Sequence, residues 1–309
     1  MKWKGVIPAI TSCFDRHGCL DHAFMEDHCR WLIENGCTGI VALGSLGEGA
    51  TLSFEEKLAV LRTFTKALRG QAPVAASISS LTTEESVAIA KAADDIGCDA
   101  LMILPPYVYH GDWREMKTHV ASVLKATGLS CMLYNNPISY GTEFLPEQIQ
   151  ELAEEYPNLH AVKESSADVR RVSAIRALVG GRLEVFVGVD DAIVEGIGAG
   201  ATGWIAGLAN ALPRESVDLF NHASEGKSAQ AFELYRWFLP LLRMDTVPKF
   251  VQLIKLVQEE LGVGSARVRA PKLEVVGEEL EAARKIIRDA MRHRPKSAST
   301  EMSRATSAS

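Results

Sequence analysis

A lysine inside one apolar run and a tyrosine at the end of another define the chemistry this chain can do. Lys163 stands in His160-Ala161-Val162-Lys163-Glu164-Ser165, which reads as a short strand. Tyr134 closes Cys131-Met132-Leu133-Tyr134, 29 residues earlier. A buried ammonium is costly unless it is paired or gives up its proton. A primary amine attacks a carbonyl only when neutral, and at the ordinary lysine pKa about one in a few thousand is neutral at pH 7. Apolar surroundings raise that fraction. The pair therefore suggests amine chemistry on a carbonyl, with a phenol to move protons. The plainer alternatives are an edge-strand lysine reaching solvent and a core tyrosine whose hydroxyl is merely satisfied.

Both residues need a frame that brings strand ends together. Eight short β-type runs alternate with longer helical stretches: Gly5–Pro8, Gly39–Gly44, Val74–Ile78, Ala100–Pro105, Ser130–Asn135, His160–Ser165, Glu184–Val189 and Thr202–Gly207. Ser53-Phe54-Glu55-Glu56, Thr82-Thr83-Glu84-Glu85 and Asp112-Trp113-Arg114-Glu115 have the form of capping boxes. Pro146 and Pro213 suit the first turns of helices. Eight βα units over about 220 residues predict an α/β fold, a (β/α)8 TIM barrel. A doubly wound sheet is the runner-up, but no G-x-G-x-x-G follows the first strand. Beyond Ser216 the strand signals stop, and Val217–Leu242, Lys249–Leu261 and Glu278–Arg292 read as helices. The expected organisation is a barrel over 1–215, a C-terminal helical domain over 216–294 and a disordered tail over 295–309, rich in Ser, Thr and Ala.

In such a barrel, catalytic groups sit at the C-terminal ends of strands. Strand alternation would turn Lys163 and Ser165 inward and Glu164 toward the helices. The second strand ends in Gly44-Ser45-Leu46-Gly47-Glu48-Gly49. Glycines there expose backbone N–H groups to an anion, and Ser45 adds a hydroxyl, which suits a substrate carboxylate next to the reacting carbonyl. A tight βα turn is the bland alternative. Val189, in Gly188-Val189-Asp190-Asp191, and Ile205, in Gly203-Trp204-Ile205-Ala206-Gly207, are expected pocket walls.

The 309 residues are 47% hydrophobic and carry a net charge of −6, with a pI near 5.8. That balance argues against nucleic acid or an anionic membrane surface as partner. No apolar run approaches the roughly 20 residues that span a bilayer, and the start lacks a signal-peptide pattern, so the cytoplasm is the expected compartment. Cys13, Cys19, Cys29, Cys37, Cys98 and Cys131 form no C-x-x-C pair, and free thiols are expected.

Gly44-Ser45-Leu46-Gly47-Glu48, Tyr134-Asn135-x-Pro137, Val162-Lys163-Glu164-Ser165 and Gly188-x-Asp190-Asp191, in this order and spacing, resemble the dihydrodipicolinate synthase / N-acetylneuraminate lyase family of class I Schiff-base enzymes. The resemblance covers about residues 4–292. It implies a barrel with C-terminal helices, a homotetramer, a small-molecule carboxylate substrate and no metal or organic cofactor. It makes Lys163 the Schiff-base lysine and Tyr134 the proton shuttle, with Ser45 and the Leu46 backbone holding the carboxylate. The chain departs from the synthases of that family. Ser45 and Leu46 replace two threonines, Val108 in Pro105-Pro106-Tyr107-Val108 replaces a relay tyrosine, and Ser139 replaces an arginine that grips a second substrate. The loops look most like those of bacterial 1-pyrroline-4-hydroxy-2-carboxylate deaminases of hydroxyproline breakdown. The implied reaction is imine exchange at C2, loss of the 4-hydroxyl and release of ammonia, giving 2,5-dioxopentanoate. A pyruvate-dependent synthase, or a lyase of 2-keto-3-deoxy acids, is the alternative.

Overall fold

The computed structural model describes residues 1–106 and 108–295. Eight parallel strands form one sheet: β1 (Gly5–Pro8), β2 (Ile40–Ala42), β3 (Val74–Ile78), β4 (Ala100–Ile103), β5 (Ser130–Asn135), β6 (Leu159–Glu164), β7 (Glu184–Val187) and β8 (Gly203–Ala206). The order β1-β8-β7-β6-β5-β4-β3-β2 follows the chain around a ring. β1 and β2 approach across the remaining gap, where Ala9 bridges Val41 and the Ile10 N–H donates to the Val41 carbonyl at 2.9 Å. The strand sequences are almost continuously apolar because helices cover the outside and side chains fill the inside. Several strands are shorter than their apolar runs. The glycines at positions 39, 44, 188 and 207 fall in the loops.

The registers sort the side chains. Tyr134 lies opposite Lys163, Lys163 opposite Phe186, and Phe186 opposite Gly203. Ile205 lies opposite Ile7. Phe186, Ile205, Met102 and Met132 share the inward side with Lys163 and are almost fully buried. The outward residues Leu133, Val162 and Trp204 seat the helices.

Two of the three expected capping boxes close in both directions. The Glu56 N–H donates to Ser53 Oγ and the Ser53 N–H to Glu56, and Asp112 and Glu115 do the same. At Thr82 only the cap half forms, with the Glu85 N–H donating to Thr82 Oγ1 at 3.1 Å. Pro146 and Pro213 begin their helices. The expected helix Val217–Leu242 is two helices, Pro213–Ser224 and Ser228–Leu242. Gly226, at φ 73°, turns the chain between them, in a backbone region that glycine enters at no steric cost. Helices Phe250–Glu260 and Gly277–Arg292 follow. Residue 215, the expected end of the barrel, lies inside a helix that packs on β1. Except for Pro295, the expected tail 295–309 lies outside the described residues.

All six cysteines are free, five of them buried and Cys19 exposed. Among the described residues, no helix is long and apolar enough to cross a membrane.

Candidate active site

Lys163 lies near the C-terminal end of β6, and its Nζ stands 3.9 Å from the centroid of the Tyr134 ring. It is 6% exposed and makes no hydrogen bond or ion pair with a described residue. Burial is the main influence on the amine and lowers its pKa from the ordinary 10.5, while Tyr140, Asp245 and Asp190 hold it up. The neutral form needed for attack is thereby favoured. Room for the side chain comes from β7. A Cβ added to Gly188 would lie 2.4 Å from Lys163 Cε and 2.0 Å from Ser165 Oγ, so any larger residue there would displace the lysine.

The outward neighbours fix the two strands that carry the pair. Asn135 Nδ2 donates to Glu164 Oε2 at 2.9 Å, and Arg171, from helix Arg170–Val179, reaches the same carboxylate oxygen at 3.3 Å. The Phe144 N–H closes the clamp on Asn135 Oδ1 at 2.9 Å. The alternation thus holds, with Glu164 tied to the helical layer and Lys163 and Ser165 meeting at the bare backbone of Gly188.

Tyr134 is 5% exposed, and burial pushes its hydroxyl up to about 12. Its oxygen accepts from Asn136 Nδ2 at 2.9 Å. Asn136 also caps the one-turn helix Pro137–Tyr140, accepting from the Ser139 N–H at 3.0 Å. That turn brings Tyr140 back over the site. The Tyr140 ring packs edge-on against Tyr134 with centroids 5.7 Å apart, and its hydroxyl forms a short hydrogen bond with Ser45 Oγ. Ser45, Tyr140 and Tyr134 therefore line up as hydroxyl groups leading toward Lys163.

Tyr140 was not among the expected site residues. It belongs to a turn with no periodic pattern, and only the cap at Asn136 shows where the turn will point. Its presence also alters the argument from Val108, which is 71% exposed. The site has a further hydroxyl, that of Tyr140, hydrogen-bonded to Ser45. Ser139 is exposed, as is Ile138 beside it. Tyr107 lies outside the described residues.

The Gly44–Gly49 loop is held from behind. Glu48, fully buried at φ 52°, accepts from Lys255 Nζ at 2.8 Å and from the Arg269 N–H at 3.0 Å. Ser12 Oγ donates to the Gly47 carbonyl at 2.7 Å. The loop presents a half-buried Ser45 beside a buried Leu46 and Gly44. Across the mouth, the buried Asp190 carboxylate accepts from Trp204 Nε1 at 2.9 Å, the Gly207 N–H at 3.0 Å and the Leu208 N–H at 2.7 Å. Burial pushes Asp190 up to about 6 against these donors and Lys163. Asp190 thus ties the turn after β7 to the end of β8. Ile205 lies on the inward side of β8, and Val189 is half-buried on the β7 turn. The geometry joins Tyr134 and Lys163 directly and reaches Ser45 through Tyr140, whereas Leu46 and Ile205 are buried and Val189 half-buried without a polar contact to them.

A desolvated, unpaired lysine at a barrel strand end, with a tyrosine over it and hydroxyl groups leading away, is the equipment of an enzyme that works through a lysine imine. Residues 2–290 match the model of the dihydrodipicolinate synthetase family, and the chain belongs to that family. It is 31% identical over 287 residues to a 4-hydroxy-tetrahydrodipicolinate synthase of Methanocaldococcus jannaschii, covering 93% of this chain and 98% of the relative. The like-named protein of Methanothrix thermoacetophila is 31% identical over 270 residues, covering 87% and 90%. Among solved structures, a dihydrodipicolinate synthase superposes with a TM-score of 0.87 at 31% identity, over 93% of this chain and 99% of that one. A chloride-inhibited dihydrodipicolinate synthase of Acinetobacter baumannii, complexed with pyruvate, gives 0.87 at 28% identity, over 93% and 98%. The chain is thus an enzyme of the lyase and synthase class that this family represents.

Proposed function

We propose that the chain binds a 2-oxo acid, with pyruvate as the parent, as an imine of Lys163, and makes or breaks a carbon–carbon bond at C3. The observation that carries this reading is the neutral-favouring burial of Lys163 against Tyr134, without any ion-pair partner. Lys163 Nζ attacks the C2 carbonyl and water leaves. A C3 proton is then lost, and the resulting enamine adds to an aldehyde. Hydrolysis frees the product and regenerates the amine. Tyr134 moves the protons at nitrogen and carbon, with Tyr140 and Ser45 as the path outward. The N–H groups of the Gly44–Gly49 loop and Ser45 are the anchor for the C1 carboxylate. The names of the relatives and the pyruvate complex support the pyruvate reading over the deaminase. The Tyr140 hydroxyl removes one of the two arguments against it, the missing relay at Val108.

Deamination of 1-pyrroline-4-hydroxy-2-carboxylate is the second reading, and it is favoured by one observation. Position 139 carries an exposed serine, so no guanidinium stands there to grip the carboxylate of a second substrate. The test is a substrate panel assayed in parallel for ammonia and for pyruvate, with borohydride trapping and mass mapping of the adduct. Pyruvate formed or consumed, with the adduct on Lys163, is the expected result. Ammonia release without any exchange of pyruvate would move the protein to the deaminases, and an adduct elsewhere would overturn the site. We expect a homotetramer, which light scattering of the purified protein checks.

A further inference from the structure

The C-terminal helices bring one more titratable side chain to the mouth of the barrel. Helix Ser228–Leu242 runs into the tight turn Arg243–Asp245 before helix Phe250–Glu260 begins. That turn packs on the turn Asp190–Ala192 after β7, and Arg243 Nε stands 3.5 Å from Asp191 Oδ2. Its last residue, Asp245, is aimed at the end of β8. A Cβ added to Gly207 would lie 2.2 Å from Asp245 Oδ1 and 3.1 Å from Leu46 Cδ1. The carboxyl therefore converges with the Ser45–Leu46 loop and the β8 end at one point of the pocket wall. Asp245 is half-buried and makes no hydrogen bond or ion pair with a described residue.

The charged and titratable groups facing it are known. They are Lys163 on β6, Asp190 and Asp191 on the β7 turn and Tyr134 on β5, with Arg243 on its own turn drawn to Asp191. Burial and the neighbouring Asp190 carboxylate raise the Asp245 pKa well above the usual carboxylate value, against the pull of Lys163.

The Tyr134–Tyr140–Ser45 hydroxyls account for protons at the imine nitrogen and at C3. A substrate longer than pyruvate carries its next reacting atom, an oxygen, on C4, and that oxygen needs its own proton carrier. We propose that Asp245 is that carrier, and that it selects substrates bearing a hydroxyl or carbonyl oxygen at C4 in place of a second carboxylate. The proposal rests on the Schiff-base reading above. In the bond-forming direction, the C3–C4 bond forms as the enamine attacks the aldehyde. The carbonyl electron pair moves onto oxygen, and the oxygen takes the Asp245 proton. In cleavage, the C4 hydroxyl gives its proton to the Asp245 carboxylate while the C3–C4 pair returns to the enamine. Where the C4–O bond breaks instead, the oxygen takes the same proton and leaves as water. Once Asp245 has given up its proton, a second carboxylate beside it would meet a like charge.

Two measurements on Asp245→Asn and Asp245→Ala separate this role from mere packing. The first is exchange of the C3 protons of pyruvate with solvent deuterium, followed by NMR, which involves no C4 atom. The second is turnover of a panel of 4-hydroxy-2-oxo acids and of 1-pyrroline-4-hydroxy-2-carboxylate. Exchange should stay within about threefold of wild type in Asp245→Asn, and turnover should fall about 10²-fold or more. The pH profile of turnover should lose one limb, while that of exchange keeps its limbs, with the Lys163 limb moved to lower pH because the Asp245 charge no longer holds the amine up. Turnover within threefold of wild type overturns the proposal, as does exchange lost in step with turnover in both variants. A wild-type enzyme that exchanges pyruvate but turns over none of the C4-oxygenated compounds also overturns it. A wild type that neither exchanges pyruvate nor forms a borohydride adduct on Lys163 instead overturns the underlying Schiff-base reading.

Discussion

Of the lysines buried among the described residues, two lie over an aromatic ring, and they do opposite things. Lys163 stands 3.9 Å from the Tyr134 centroid and Lys255 stands 4.7 Å from that of Phe14. Burial lowers the pKa of both. Lys255, however, lies 2.8 Å from the carboxylate of Glu48, which opposes the shift and fixes the ammonium. Lys163 has no such partner. One lysine is a cross-link between helix Phe250–Glu260 and the Gly44–Gly49 loop, and the other has no carboxylate within hydrogen-bonding reach among the described residues. A desolvated lysine becomes a nucleophile when the fold withholds its counter-ion. Given one, it becomes a staple.

The contrast can be broken most completely at Lys163. Lys163→Met should abolish turnover and borohydride trapping, and should leave thermal stability equal or higher because it removes an unpaired buried amine. Residual trapping on Lys255 would erase the distinction. Lys255→Met should do the reverse, since it leaves the buried Glu48 carboxylate with the Arg269 N–H and the more distant Lys272 Nζ at 3.8 Å, a change that costs up to about 3–5 kcal/mol. Chemical denaturation reads that loss, and the Lys255→Met/Glu48→Gln double variant should recover most of it. A loss below about 1 kcal/mol in the single variant would show that Glu48 does not depend on its partner. Tyr134→Phe keeps the ring over Lys163 and removes the hydroxyl, so the fold should persist while the rate drops about 10²–10⁴-fold. A rate within twofold of wild type would make Tyr134 packing alone. The mildest test is pH. Because Lys163 must be neutral to attack and its pKa lies below 10.5, the rate of pyruvate exchange should rise with pH and level off below that value. A rise that levels only at or above 10.5 would mean that burial does not tune the amine.

Strand alternation and the costliness of a buried charge made Lys163 and Tyr134 legible from sequence, because both rules act within one element. The βα order was legible for the same reason, although several strand ends drifted by one or two residues where the chain leads into loops. The break at Gly226 was hidden inside a stretch whose helical periodicity runs through it. Tyr140 was missed because its position depends on the Asn136 cap turning a four-residue helix back toward Ser45. Asp245 was out of reach in a stronger sense. It comes from a turn that meets β8 only after the C-terminal helices pack, and no local pattern marks a residue that distant packing delivers. The Glu48–Lys255 pair joins residues 207 apart in sequence, and neither member alone announces its partner.

The bare backbone at Gly188 has a consequence for descent. Glycine codons reach every other residue by a change that adds at least a Cβ, and here that atom would occupy the space of Lys163 Cε. Each such mutation would force Lys163 and Ser165 to shift while sparing the outward clamp of Glu164, Asn135 and Arg171 that holds the strands. A lineage still under selection for the lysine cannot fill this gap, whereas one that has drifted to another role is free to do so. The side chain at this one position therefore serves as a fossil marker, separating barrels whose lysine still works from those that merely inherit it.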